Sequence, residues 1–140
     1  MLGPMRTHRT RARARYAETD ATGIVYYNSY FLYFELGRVE MFRALGLPYD
    51  WRLPIVETHC RYRASAKFDD VLEIETGVEE IRTRAFRMAQ RVYRVTGEGA
   101  AEQRELLVEG YTVMMTQDES GPMPVPTAFR VAFGAGENQE

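Results

Sequence analysis

One long stretch of this chain carries a helical pattern, and the segments on either side of it alternate with period two. Tyr30-Phe31-Leu32-Tyr33-Phe34 is apolar or aromatic all round, and the following turns are amphipathic as far as Leu45. Glu35, Arg38, Glu40 and Arg43 are spaced for i,i+3 pairs. Asn28 or Ser29 supplies the expected N-cap, and Gly46 with Pro48 beyond it ends the run. A helix apolar around its start is buried on several sides. Gly37 in mid-helix costs about 1 kcal/mol relative to alanine, which predicts close packing against a sheet at that point.

Before the helix, Arg9 to Glu18 alternates. Arg9, Arg11, Arg13 and Arg15 share one face, and Thr10, Ala12, Ala14 and Tyr16 share the other. Such a pattern predicts a strand with one wet face. The arginine row reads more simply as a solvated edge guard than as a phosphate site. After Pro54 come four strand-like segments, Ile55 to Ser65, Val71 to Ile81, Arg84 to Val95 and Leu106 to Gln117. In the second, Leu72, Ile74, Thr76 and Val78 oppose Glu73, Glu75 and Glu79; in the third, Phe86, Met88 and Val92 fall together. The fourth is apolar on both faces, as a central strand or one covered by a partner subunit would be. Turns are expected at Lys67-Phe68-Asp69-Asp70, around Arg82-Thr83, at Gly97-Glu98-Gly99 and from Asp118 to Gly121. Thr127 to Phe133 reads as a short terminal helix. Residues 1–7 and 134–140 read as flexible tails around a single domain spanning 8–133. The expected fold class is α+β, with the last four strands in an antiparallel meander and one helix against one face.

Composition narrows the function classes. A net charge of −2 argues against a broad nucleic-acid surface. The chain has 17 arginines and one lysine, Lys67, which compositional bias explains more simply than an array of anion sites. Cys60 is the single cysteine, so no intrachain disulfide forms. No apolar run approaches the ~20 residues that span a bilayer, and the basic N-terminus lacks a signal-peptide core. A cytoplasmic protein without a membrane partner is the expectation.

The chemistry-bearing stretch is Tyr16 to Tyr30. Two carboxylates, Glu18 and Asp20, lie two residues apart, a turn follows at Gly23, and aromatic residues lead into the helix. The order places an acid just upstream of a helix start, where backbone N–H groups are unpaired and carry partial positive charge. Acyl transfer needs such a pairing of a base or nucleophile with oxyanion donors. The plainer alternative is that Asp20 and Gly23 occupy the first and fourth positions of an ordinary turn. If the strand persists, Glu18 and Tyr16 share Asp20's face, so that one acid is structural while the other does chemistry. Tyr26, Tyr27, Tyr30, Phe31, Tyr33 and Phe34 line an acyl pocket, pack in the core, or do both. His59 and Cys60 are adjacent on a strand and point to opposite faces, which makes them a poor nucleophile–base pair. With His8 and His59 as the only histidines, no metal-ligand spacing is present.

At these residues the sequence resembles a known family. Tyr16-x-Glu18-Thr19-Asp20-x-x-Gly23-Ile24-Val25-Tyr26-Tyr27-x-x-Tyr30 is similar to the signature of the 4-hydroxybenzoyl-CoA thioesterase family of hotdog-fold acyl-CoA thioesterases. Glu35 to Leu47, the Arg61-Tyr62 region, Lys67-Phe68-Asp69-Asp70 ahead of Val71-Leu72-Glu73-Ile74, and Glu105 to Gly110 extend the resemblance over about residues 8–130. It implies a hotdog fold, a sheet of about five strands wrapped round the long helix, assembled as a homodimer with a continuous sheet or as a homotetramer. It implies an acyl-CoA substrate carrying an aromatic or short- to medium-chain acyl group, and no metal or bound cofactor. By the same resemblance Asp20 is the nucleophile or general base, and the backbone N–H of Tyr27 polarises the thioester carbonyl. Tyr27 stands where the Tol–Pal-associated branch carries histidine. The expected substrate contacts are Gly23, Ile24, Val25, Tyr26 and Tyr30, with Arg61, Arg63 and Lys67 for the phosphates of CoA. The competing expectations are a non-catalytic acyl-CoA-binding hotdog module and a hotdog enoyl-CoA hydratase. The hydratase usually relies on a catalytic histidine, and neither His8 nor His59 lies in such a motif.

Overall fold

In the computed structural model, which describes residues 6–134, the period-two segments become β1 (Thr7–Arg13), β2 (Ile55–Tyr62), β3 (Val71–Ile81), β4 (Ala85–Thr96) and β5 (Gln103–Met115). The helical stretch becomes α1 (Tyr30–Leu45), and Thr127–Ala132 forms α2. A two-residue-per-strand hairpin, β6 (Gln117–Asp118) and β7 (Gly121–Pro122), occupies the expected turn. The five long strands make one antiparallel sheet in the order β1-β3-β4-β5-β2.

Two features of the expected topology are corrected. Only β3, β4 and β5 form a meander. Both edges of β3 are taken, by β1 and β4, so β2 crosses to the far edge and pairs with β5. β1 stops at Arg13 rather than Glu18. Its register partner there is Val71, the first residue of β3, so no further ladder exists to extend it. The chain closes instead into a 3₁₀ turn at Tyr16–Glu18, with Glu18 N–H donating to the Arg15 carbonyl at 2.9 Å. Glu18 and Asp20 therefore share no strand face. The tails expected at 1–7 and 134–140 lie largely outside the described residues; Thr7, assigned to the first tail, opens β1.

α1 packs across β1, β3 and β4. Its N-terminal half sets Tyr30, Tyr33 and Phe34 against Leu72, Ile74, Val92 and Val108. Its C-terminal half sets Met41 and Phe42 against Phe86, Met88 and Met114, closed over by Phe129 and Phe133. The helix ends at Gly46, whose φ of 72° suits glycine, while Leu47 N–H returns to the Phe42 carbonyl at 2.9 Å. Gly37 faces the sheet at the closest approach: a Cβ there would lie 2.4 Å from Thr76 Oγ1 and 2.6 Å from Ile74 Cγ2.

Two local expectations for α1 change. Ser29 lies in helical conformation as the last residue of a 3₁₀ turn at Tyr27–Ser29, and its hydroxyl donates to the Glu18 carbonyl at 3.0 Å instead of capping the helix. Of the i,i+3 pairs only Glu40–Arg43 forms. Arg38 turns inward and is 3% exposed, donating to Tyr49 Oη, Gln90 Oε1 and Thr112 Oγ1. The arginine row of β1 is an ion-paired outer face, with Arg9 on Glu75 at 3.0 Å, Arg11 on Glu73 at 3.2 Å and Arg13 on Asp69 at 3.5 Å. On β5, a register shift opposite Val92 and Tyr93 buries the adjacent Leu107 and Val108 together.

Candidate active site

The segment between β1 and α1 folds back on itself. Thr19 bridges Val25, and Asp20 N–H donates to the Ile24 carbonyl at 2.9 Å. The intervening turn closes with Gly23 N–H on the Asp20 carbonyl at 3.1 Å, and Gly23 has φ of 84°, a region open to glycine at little cost. Asp20 Oδ1 accepts from Thr22 N–H at 2.8 Å and from the Thr22 hydroxyl at 2.6 Å. The ordinary turn read from the sequence is thus present. Both Thr22 bonds fall on Oδ1, and the backbone of Ile24 adds a weaker favourable interaction with the carboxyl. The Thr22 hydroxyl, and then its N–H, hold the Asp20 carboxyl below the usual aspartate range, so it is ionised at neutral pH.

This turn docks on Ala66 to Phe68. Ile24 bridges Lys67, Val25 N–H donates to the Ala66 carbonyl at 2.9 Å, and Phe68 N–H donates to the Gly23 carbonyl at 3.0 Å. Next, Tyr26 N–H donates to the Glu18 carbonyl at 2.9 Å, and the 3₁₀ turn into α1 begins. Within that turn the N–H groups of Tyr27 and Asn28 donate to no described residue. They are the free donors of a helix start, where the partial positive charge is concentrated.

Asp20 and Tyr27 line one cleft of about 420 Å³. Ile24, Val25, Tyr26 and Tyr30 complete one side, and Tyr62, Arg63, Ala64 and Ser65, from the end of β2 onward, form the other. Tyr26 and Tyr27 are 47% and 59% exposed at its mouth, whereas Tyr30, Tyr33 and Phe34 are core residues. The Tyr62 hydroxyl donates to the Tyr27 carbonyl at 3.0 Å, and its ring meets Tyr27 and Tyr30 edge-on. Burial first, and then Cys60, push the Tyr62 phenol up to about 12, so it stays a donor across the ordinary pH range. Beneath the cleft the Tyr30 hydroxyl accepts from Ala66 N–H at 2.9 Å.

The structure does not bring every expected residue to this cleft. Gly23 shapes the turn without lining the cavity. Arg61 is on the outer face of the sheet, in a separate depression with His59, Arg87 and Tyr111, because strand alternation sends it opposite to Tyr62. Lys67 joins through its backbone, bridging Ile24 and donating N–H to Asp70 Oδ2 at 2.8 Å, and is not among the lining residues. Arg63 does line the cleft, yet its guanidinium is paired with Glu109. Tyr62, Ala64 and Ser65 were not singled out from the sequence; once Arg61 faces solvent, alternation alone turns Tyr62 inward. His59 stacks on Tyr111 at 5.2 Å outside the sheet, while Cys60 packs half-buried on the core side with its thiol pushed up to about 11 by burial. Among the described residues no cluster of three or more His, Cys, Asp or Glu side chains is placed to hold a metal ion.

A carboxylate residue, Asp20, and a residue with an unpaired N–H at the start of the turn into α1, Tyr27, therefore line a single cleft. Such a cleft can seat a carbonyl oxygen on the Tyr27 N–H and set an anionic oxygen beside its carbon.

The model of the thioesterase-like superfamily matches residues 14–133 of the chain. The acyl-CoA thioesterase YbgC of Haemophilus influenzae is 35% identical over 131 residues, covering 86% of this chain and 90% of the relative. A putative esterase of Aquifex aeolicus is 37% identical over 90 residues, covering 60% of this chain and 70% of the relative. A solved structure of a 4-hydroxybenzoyl-CoA thioesterase carrying an aspartate-to-asparagine mutation, complexed with 4-hydroxybenzoyl-CoA, superposes with a TM-score of 0.79 at 25% identity, covering 91% of this chain and 99% of that one.

Proposed function

The chain belongs to the thioesterase-like superfamily and has the hotdog fold of its thioesterases, and from that premise we propose that it hydrolyses acyl-CoA thioesters in the cleft between Asp20 and Tyr27. The observation that carries the proposal is that Asp20 lines the same cleft as Tyr27, whose N–H has no partner among the described residues. The thioester carbonyl oxygen accepts from Tyr27 N–H, with Asn28 N–H as a second donor. Removing one donor of this kind typically raises the barrier by about 2.7–4 kcal/mol.

Asp20 then acts on the carbonyl carbon in one of two ways. As nucleophile, its carboxylate displaces the CoA thiolate and leaves a mixed anhydride that water hydrolyses. As general base, it takes a proton from the attacking water. A carboxyl held below its usual range is ionised at neutral pH, the form that both routes require. The aspartate-to-asparagine mutation in the substrate-bound relative fits an aspartate in the chemistry. Label in the Asp20 carboxylate after a single turnover in oxygen-18 water establishes direct attack, because only water adding at the Asp20 carbon of a mixed anhydride can put it there. Neither route calls on a metal or a bound cofactor. Tyr26, Tyr27 and Tyr62 suit an aromatic or short- to medium-chain acyl group.

One observation favours a second reading. Asp20 Oδ1 is committed to Thr22, as in a non-catalytic acyl-CoA-binding module where Asp20 only shapes its turn. Free-thiol release decides between them, measured with benzoyl, 4-hydroxybenzoyl and short to long aliphatic CoA esters, wild type beside Asp20→Asn. Turnover by wild type and its loss in the variant support hydrolysis. Tight binding with no thiol released by either protein supports the module.

The proposal extends to assembly and place. β2 is an edge strand exposed on both faces apart from Cys60, and a second copy of the chain pairing there would continue the sheet. A CoA-ester hydrolase with one cysteine and no disulfide fits the cytoplasm.

A further inference from the structure

We infer that Glu18 is a positioning residue for the proposed hydrolysis: its buried side chain fixes the Asp20 turn against the start of α1 and so sets the gap between Asp20 Oδ2 and the Tyr27 N–H. The inference rests on the thioesterase reading above. Glu18 is 6% exposed, and burying a carboxylate is unfavourable unless its oxygens are satisfied. Here they are. Oε1 accepts from Arg15 N–H at 2.8 Å and from the Tyr33 hydroxyl at 2.8 Å, and Oε2 accepts from Arg15 Nε at 2.8 Å. The backbone carbonyl of the same residue accepts from Tyr26 N–H at 2.9 Å and from the Ser29 hydroxyl at 3.0 Å.

One residue thereby holds three segments. Arg15 follows β1 and precedes the acid. Tyr26 and Ser29 lie on either side of Tyr27, which lines the cleft. Tyr33 lies in the first turn of α1. By contrast, the side chain of Asp20 is held locally, by Thr22 and the backbone of Ile24. Among the described residues the Glu18–Tyr33 bond is the single hydrogen bond between residues 14–26 and α1. Beside the backbone bonds that pair Thr19 with Val25 and Asp20 with Ile24, a buried, ionised side chain that does not itself line the cleft thus ties the acid's segment to α1. Burial alone would raise the Glu18 carboxyl. The hydrogen bonds from Arg15 and Tyr33 outweigh it and hold the group below the usual glutamate range. The Tyr33 phenol is pushed up, by burial first and then by Glu18, and remains a donor.

A displacement of about 1 Å between reacting groups costs on the order of 100-fold in rate, so loosening this lock is expected to appear in kcat. The experiment measures thiol release and melting temperature for wild type, Glu18→Gln, Tyr33→Phe, Asp20→Asn and the Glu18→Gln/Asp20→Asn double variant. Glu18→Gln keeps the size of the side chain and opposes an amide N–H to Arg15, and should lower kcat by about 10- to 100-fold with KM within about twofold. In the Asp20→Asn background the same change should leave the residual rate within about twofold, because a residue acting through Asp20 has nothing left to position. A merely structural role would lower both rates alike. If Glu18→Gln does not fold, Tyr33→Phe carries the test: it cuts only the bond to α1 and should lower kcat several-fold in a folded protein. Unchanged kcat in the folded variants, or an equal loss with and without Asp20, overturns the inference while leaving the thioesterase standing. Absence of thiol release by wild type overturns the thioesterase reading and this inference with it.

Discussion

The Tyr62 hydroxyl donates to the carbonyl of Tyr27 at 3.0 Å, tying the last residue of edge strand β2 to the first residue of the turn into α1. That carbonyl belongs to the peptide whose N–H is the free Asn28 donor, so the bond fixes and polarises one wall of the proposed oxyanion site. Tyr62→Phe keeps the ring contacts with Tyr27 and Tyr30 and removes only the donor. A neutral hydrogen bond contributes roughly 0.5–1.5 kcal/mol, so kcat should fall by about 2- to 10-fold with little change in melting temperature. Steady-state kinetics on the best CoA ester checks it.

The pH dependence should carry the mark of Asp20. Thr22 lowers its carboxyl below the ordinary 3.8. The active form is the ionised one, so kcat/KM should stay level from neutral pH down to that value and fall only as pH drops through the lowered value. The Thr22→Val variant loses the hydroxyl bond, and its acid limb should move to higher pH. A profile with an inflection near 6, unmoved in Thr22→Val, would assign the essential group elsewhere.

β2 offers an unpaired edge with Ile55 and Val56 47% and 54% exposed. Exposed strand edges are rarely left open in stable proteins. Light scattering on the purified protein should give a dimer or larger. Val56→Asp, which places a charge on that edge, should shift the mass toward the monomer while circular dichroism stays the same. A wild-type monomer at micromolar concentration would refute pairing at β2.

At Gly37 two effects compete. Alanine gains about 1 kcal/mol of helix propensity over glycine. Its Cβ would also lie 2.4 Å from Thr76 Oγ1 and 2.6 Å from Ile74 Cγ2, both from short branched side chains with 0% exposure. Overpacking of a tight core costs about 1–3 kcal/mol, and loss of the Gln90–Thr76 bond would add to it. Gly37→Ala should therefore be destabilised by roughly 1–2 kcal/mol net, measured as a lower urea midpoint at constant m-value.

Elements whose signals are local were legible along the chain. The apolar start of α1, the glycine at its end, the alternation of β3 and the acid-turn-aromatic run from Glu18 to Tyr30 each depend on residues a few positions apart, and each reappears in the structure. The need for Gly37 was also legible, because a glycine in mid-helix is unfavourable unless something packs close. Tertiary structure alone decided which strand pairs with which. β2 lies beside β5 because β3 already has a neighbour on each edge, a competition that no local pattern encodes. The same long-range choices ended β1 at Arg13 and sent Glu18 inward to Tyr33, separating it from Asp20. They also left Arg61 on the outer face and gave Tyr62 the place beside Tyr27. Periodicity says that neighbouring residues face opposite ways; which way is inward depends on where the helix lies, and only the packed chain fixes that.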